Sequence, residues 1–450
     1  MSTFSAHAHA HAHSQAHAPP SVRVSSSVLH ADGVFSTCPL PAEGCVFEEA
    51  PALFLQTIEN RQVNVVCGGC HCYVGSLEIQ TRLLSRRVSR QDQASFGGVL
   101  CGNHCGELYC SEGCRAQHWL SGGHRVLCTG LLDASDPLVE FKMHAVRTNE
   151  IFLLVADVYA QICCRVEQQL LHGGGASTVD EAVVASLPPF DGYVRQLWWE
   201  AAVAPPGTDP VELRQTLQRL VAESWALLDA ALRLTERGLA ARLGPEYMSR
   251  LVGMFEQNNV GVRRTSPLGR ACLGLSPHAP EAAALAEAAA CIAASLEEMA
   301  WEDCGDDCEE EEEEEDGEDA EGEVAQGAGE EDEDLFPMTD EVAADPSLAQ
   351  LHETLNTHGL EALFPPLDGT AFYALICKIN HSCEPNVLVR YEPAEPGAPL
   401  LARLTALRDI APGEELVQSY VDQSQGYEGR RLALLDYGFE CACRKCRARE

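Results

Sequence analysis

Hydrophobic and polar positions change period several times along this chain. Short alternating stretches come first: Val22-Arg23-Val24, Ala31-Asp32-Gly33-Val34-Phe35 and Gly44-Cys45-Val46-Phe47-Glu48. Their period of two predicts short strands joined by turns. From Leu131 to Leu243 the apolar residues recur at helical spacing, most regularly over Val211 to Leu243, where no Pro intervenes. Val183 to Trp199 is a weaker helical stretch, because Pro188 and Pro189 break it. Asp209-Pro210 and Gly244-Pro245 punctuate the ends. Glu281 to Met299 is an Ala-rich helix whose first turn suits Pro280 and Glu281. An apolar run, Ala371 to Ile379, then leads through Asn380-His381-Ser382-Cys383-Glu384-Pro385-Asn386 into strand-like Val387 to Tyr391. The polar residues of that connection favour a turn, and its Pro cannot extend a ladder. A last strand is expected from Leu416 to Val421.

Two segments fall outside any such period. Met1 to Pro20 is low in complexity, with His7, His9, His11, His13 and His17 spaced by Ala, Ser and Gln, and reads as a disordered tail. Glu302 to Asp334 holds 21 acidic residues and neither Lys nor Arg, too polar to bury a core. It contributes much of the net charge of −37. So acidic a chain is a poor partner for a phosphate backbone, which disfavours direct nucleic-acid binding, and a suitable host for a basic one. The 450 residues allow two or three domains. The tail lacks the apolar core of a signal peptide, and no stretch approaches the roughly 20 apolar residues of a membrane span. The longest candidate, Ile151 to Cys164, is interrupted by Asp157. Twenty-one cysteines in such a chain point to thiols that bind metal in a reducing compartment, nucleus or cytoplasm.

The thiols cluster. Cys67-x2-Cys70, Cys101-x3-Cys105, Cys110-x3-Cys114 and His124-x3-Cys128 offer eight ligands, enough for two tetrahedral sites with none left open for chemistry. Cys72 competes with Cys70, His104 with a neighbouring Cys, and His118 is a further ambiguous ligand that suits a surface helix. Gln80 to Gly98, carrying Arg82, Arg86, Arg87 and Arg90, reads as an exposed basic loop between the first two pairs. At the other end stand Gly413-Glu414-Glu415, Ser419-Tyr420 and Cys441-Ala442-Cys443-Arg444-Lys445-Cys446. The last offers three ligands, so a fourth must come from elsewhere.

These pieces together resemble a known family. Leu108 to Cys114 is similar to the core of a MYND finger. Asn380 to Asn386, Ser419-Tyr420 and the terminal Cys motif resemble the end of a SET-domain lysine methyltransferase with its post-SET zinc. Their order resembles the SET and MYND domain-containing family. The sequence ends four residues after Cys446, so the helical repeat that most members add is not expected here.

The resemblance implies an α+β fold: a SET β-fold split by a zinc-binding MYND finger and a helical insert, closed by a post-SET zinc motif. It divides the chain into a tail (1–20), N-terminal SET part (21–66), finger (67–130), helical insert (131–245), SET part (246–300), acidic insert (301–335), SET core (336–436) and post-SET motif (437–450). It implies one zinc on Cys67, Cys70, Cys110 and Cys114, a second on Cys101, Cys105, His124 and Cys128, and a third on Cys383, Cys441, Cys443 and Cys446, all structural. S-adenosylmethionine would be held by Gly33, Asn258, Asn380, His381 and Tyr420. In the family's Gly-x-Gly turn, Gly33 takes the second place and Ala31 the first, which suits Ala only if φ there is negative. Tyr420 and Tyr437 would be the catalytic aromatics, with Tyr373 a weaker channel candidate. Glu414 and Glu415 would be structural. The implied substrate is a lysine on a histone, ribosomal or other basic protein, the implied assembly a monomer, and the finger's implied partner a Pro-containing peptide. The competing reading is a catalytically weak scaffold that binds protein partners.

Overall fold

The computed structural model describes residues 18–171, 178–191, 193, 196–205, 207–275, 281–303, 340–395 and 397–450. The His-rich stretch and nearly all of the acidic insert, with Cys304 and Cys308, lie outside them. Twelve strands form among the described residues: β1 (Val22–Ser26), β2 (Asp32–Ser36), β3 (Cys45–Glu49), β4 (Leu53–Gln56), β5 (Val99–Leu100), β6 (Leu108–Tyr109), β7 (Val260–Arg264), β8 (Leu367–Phe372), β9 (Asn380–His381), β10 (Val387–Arg390), β11 (Ala402–Ala406) and β12 (Glu415–Gln418).

The alternating stretches near the start become β1 to β3, and they complete sheets begun by the far end of the chain. One sheet has the order β1-β2-β12-β9, a second β10-β11-β3, a third β4-β8-β7, and β5 and β6 form a small ribbon. β2 lies antiparallel to β12, with Val34 opposite Leu416, and β12 lies parallel to β9, with Val417 opposite Asn380. Val34, Leu40, Phe47, Ile376, Ile379, Leu404 and Leu416 fill the core between these sheets.

The helical stretch packs around its own core. Phe141, Phe152, Tyr159, Leu228, Met248 and Phe255 are buried there, and Leu53 and Phe372 join it to β4 and β8. The helix Pro210–Leu232 is shorter than the sequence suggests. Arg233 turns left-handed (φ 55°) and donates its N–H to the Asp229 carbonyl. The Asp229 carboxylate then accepts the backbone and hydroxyl of Thr235, each at 2.7 Å. Leu234, Leu239 and Leu243 remain buried but reach the core from turns. The local hydrogen bonds of Asp229 override a helical period that these leucines satisfy equally well from a loop.

The basic loop expected at Gln80 to Gly98 is partly helical. Ser76 caps the helix Leu77–Leu84 by accepting the Ile79 N–H, and Ile79 and Leu83, four apart, are buried. Ser295 on the helix Ala282–Asp303 donates to the Ser85 carbonyl at 3.1 Å. Packing against a helix two hundred residues away is not visible in a local period.

Candidate metal centres and candidate active site

Three groups of four side chains converge: Cys67, Cys70, Cys110 and Cys114; Cys101, Cys105, His124 and Cys128; Cys383, Cys441, Cys443 and Cys446. Within each, all ligand atoms lie within 4.8 Å of one another. Sulfurs on a tetrahedral zinc at about 2.3 Å stand about 3.8 Å apart. Cys70 to Cys110 measures 3.6 Å, Cys110 to Cys114 3.5 Å and Cys101 to Cys128 3.7 Å. The His124 Nε2 lies 3.4 Å from both Cys101 and Cys105. A disulfide needs about 2.05 Å, and the described cysteines are all free. The donor sets therefore fit zinc.

Backbone turns decide the ambiguous ligands. His71 adopts φ 56° and donates its N–H to the Cys67 carbonyl at 3.0 Å, which presents Cys70 to the first site and turns Cys72 into the apolar cluster with Leu108 and Tyr109. His104 absorbs the extra residue of Cys101-x3-Cys105 in the same way: φ 56°, exposed, its N–H on the Cys101 carbonyl at 3.0 Å. His118 is half-buried on the helix Glu112–Leu120, its Nδ1 3.1 Å from the Tyr109 hydroxyl and its ring stacked 5.0 Å from His124.

The third group joins the tail to the loop after β9. Asn386 fixes that loop: its Oδ1 accepts the Val417 N–H at 2.8 Å, its Nδ2 donates to the Glu415 carbonyl at 2.8 Å, and its N–H to the Val417 carbonyl at 3.0 Å. Cys383 is thereby held 3.4 Å from Cys446. Glu384 receives Arg444 at 2.7 Å and the Lys445 N–H at 3.0 Å. Arg430 is 1% exposed beneath the group, donating to the Gln425 and Glu450 carbonyls.

This pinning assembles an aromatic cluster. The ring of Tyr420 lies 5.1 Å from Tyr437, 5.2 Å from His381 and 6.4 Å from Phe439, and Phe439 lies 5.7 Å from His381. The Tyr420 hydroxyl donates to the Ile379 carbonyl at 2.7 Å. Burial pushes that phenol above its ordinary value, so it stays protonated. Burial likewise holds His381 near 4, a neutral ring. Phe439 was not singled out in the sequence; its place two residues before Cys441, in Tyr437-Gly438-Phe439, was the available signal. Tyr373 is buried, with its hydroxyl donating to that of Tyr391 at 3.3 Å.

The cofactor candidates divide. Asn380 and His381 occupy β9 beside Tyr420, whereas the Asn380 amide is spent on the protein: Nδ2 donates to Glu415 Oε1 at 2.9 Å, to the His30 carbonyl at 3.1 Å and to the Asp32 carbonyl at 3.2 Å. Gly33 packs against this contact, and a Cβ there would stand 2.3 Å from Glu415 Oε1 and 3.1 Å from Asn380 Nδ2. Glu415 is thus structural, as is Glu414, which pairs with Arg408 at 2.5 Å. Ala31 has φ 40°, the left-handed region, so the condition under which Ala suits that turn is not met. Asn258 ends the helix Pro245–Asn258, its Nδ2 on the Met254 carbonyl at 2.8 Å. Lys378, whose ammonium lies 4.1 Å over the Tyr193 ring and 4.0 Å from Asp32, is the cation beside the β1–β2 turn.

Residues 282–421 match the SET domain family. Its strands in this chain are completed by β1 to β4, which precede the matched segment by more than two hundred residues. Among curated relatives, the histone-lysine N-methyltransferase ATXR2 of Arabidopsis thaliana is 28% identical over 366 residues, covering 77% of this chain and 62% of its own length. The N-lysine methyltransferase SMYD2 of Gallus gallus is 40% identical over 83 residues, 18% of each chain. The human SMYD2 is 35% identical over 107 residues, 23% of each chain. The chain thus spans less than two thirds of the length of these relatives.

Proposed function

We propose that this chain, an α+β protein carrying a SET domain and zinc-type Cys clusters, is a protein-lysine N-methyltransferase that uses S-adenosylmethionine. The observation that carries the reading is the convergence of His381, Tyr420, Tyr437 and Phe439 beside the loop pinned by Cys383. The relatives' names supply the reaction class.

Bound S-adenosylmethionine would supply a sulfonium methyl. The chain's residues have to align a lysine with that methyl and admit it without its proton. A free lysine has a pKa near 10.4, so holding it neutral at pH 7 opposes about 4.6 kcal/mol. Aromatic walls remove water from the amine and lower that cost. Their faces also tolerate the methylammonium product. The Tyr420 hydroxyl is fixed on the Ile379 carbonyl, and its oxygen would be the acceptor beside the transferred methyl. Asn380 and His381 would contribute backbone groups, Gly33 close backbone approach, and Asn258 a polar contact from the helix end. No general base is required of the protein.

We assign the three Cys groups one structural zinc each. The substrate is a basic protein, a histone or a ribosomal or other non-histone protein, in keeping with the acidic charge of the chain. Within the SET and MYND domain-containing family, the insertion between Cys72 and Cys101 and the segment Gln257-Asn258-Asn259-Val260-Gly261 favour the fifth member. A monomer in the nucleus or cytoplasm, with a Pro-containing peptide at the finger, completes the proposal. The scaffold reading draws on one observation, the left-handed Ala31 in the cofactor turn.

Calorimetry with S-adenosylmethionine, followed by single-turnover methylation of mixed histones and ribosomal proteins, separates the two. Cofactor binding with methyl transfer is the expected result. No cofactor binding by the zinc-loaded chain would leave the scaffold.

A further inference from the structure

The helix Ile151–Leu171 buries twelve of its residues, yet carries Asp157 in its middle. An acid placed in such a run costs stability unless something pairs with it. Asp157 instead faces a cavity of about 760 Å³ between the finger, the β3–β4 connection and the helices Pro137–Thr148 and Ile151–Leu171. That volume would hold two or three peptide residues, within the range of ordinary ligand sites.

The other charged groups on its wall already have protein partners. Arg61 is bonded to Glu107 at 2.7 Å, Arg90 donates to the Arg61 carbonyl at 3.1 Å, and Lys142 donates to the Leu127 carbonyl at 2.7 Å. Glu49 accepts the N–H groups of Leu375 and Ile376, both at 2.9 Å, and Glu48 accepts Arg403 at 3.1 Å. Asp157 alone among these charged groups has no hydrogen-bond partner among the described residues. Lys142 and Arg61 are close enough to pull its carboxyl down and Glu107 to push it up, but burial dominates and lifts it to about 7. Among these wall groups Asp157 is therefore the one carboxyl placed to accept a donor from a ligand, and a charged donor forms the stronger bond with it.

We propose that this cavity is a second binding site, separate from the aromatic cluster, that seats the guanidinium or alkylammonium group of a basic peptide or small amine on Asp157. The ligand's cation supplies the hydrogen-bond donor that the described residues do not give Asp157, and the room around it accepts the flanking backbone. A basic protein held there would be bound at a distance from the lysine being modified.

The test is calorimetry on the full zinc-loaded chain with two probes that are not lysine methyl acceptors. One is acetyl-Gly-Arg-Gly-amide. The other is agmatine, which carries the guanidinium without a peptide backbone. Both should bind the wild-type protein, and Asp157→Asn should weaken each by about tenfold or more, as loss of a charge-assisted bond does. Tighter binding of the peptide assigns the site to peptides, and equal binding assigns it to small amines. S-adenosylmethionine titrated into the same variant should bind as in wild type, which shows that the variant is folded and keeps this site's test apart from the proposed reaction. Failure of both probes to bind wild type, or equal affinity for wild type and Asp157→Asn, would overturn the proposal.

Discussion

The imidazole of His381 accepts the backbone N–H of Tyr420 at 3.0 Å on its Nδ1, while its Nε2 lies 3.3 Å from the Cys383 sulfur. An accepting Nδ1 leaves the proton of the neutral ring on Nε2, aimed at a metal-site thiolate. One ring therefore ties the third metal group to the aromatic that borders the proposed channel. His381→Ala removes both bonds. Partners of this kind are worth about 10- to 100-fold in activity or metal affinity, and a loss of that size is expected in single-turnover methylation or in competition with a zinc chelator. Wild-type values in both would remove His381 from this role.

Tyr420→Phe tests the hydroxyl alone. Its loss frees the Ile379 carbonyl, which among the described residues otherwise has the Gln418 amide at 3.5 Å. Stability should fall by about 1 kcal/mol, one ordinary hydrogen bond. The single-turnover rate should fall much further, by roughly 10²-fold, if the oxygen acts at the transition state. A melting shift with an unchanged rate per folded molecule would make Tyr420 a packing residue only.

Ala31→Gly is expected to improve the protein. The left-handed backbone costs an L-residue about 1 kcal/mol that glycine does not incur. A higher melting temperature and tighter S-adenosylmethionine binding should follow. Gly33→Ala should do the opposite, because its Cβ would meet Glu415 Oε1 at 2.3 Å and part Asn380 from the β1–β2 turn. A destabilised Ala31→Gly would mean that the turn relaxes by another route.

Metal analysis should return three zincs per chain, and Cys446→Ser should return two. The same substitution should quench turnover, since Tyr437 and Phe439 are held over Tyr420 through the tail that Cys446 anchors. Three zincs in the variant would dissolve the third site.

Asp157 gives a pH dependence. The native protein holds its proton up to about pH 7, whereas the ordinary value of 3.8 applies once the chain unfolds. Between those values the native state binds more protons, so this group makes stability fall as pH rises. Lys142, Arg61 and Glu107 are the charged groups that face it. Denaturant melts of Asp157→Asn should show a smaller loss of stability between pH 4 and 7 than wild type, and a higher midpoint at pH 7. Parallel curves for the two proteins would mean that Asp157 ionises freely.

The sequence by itself carried whatever depends on a few neighbouring residues. Paired Cys spacings announced the metal groups, because a ligand pair needs only one turn. Val22–Ser26, Asp32–Ser36 and Cys45–Glu49 showed their period of two, and Asn380 to Asn386 showed a turn. Which Cys of a crowded pair ligates was a matter of backbone: the left-handed His71 and His104 are what choose Cys70 and Cys105. Tertiary structure alone decided the contacts between residues hundreds of positions apart. It set β2 against β12, spent the Asn380 amide on Glu415, brought Phe439 to His381, and left Asp157 lining a cavity with no hydrogen-bond partner among the described residues. A local period reports which face of an element is apolar. It carries no record of what the chain later lays against that face, which is set by the packing of the whole core.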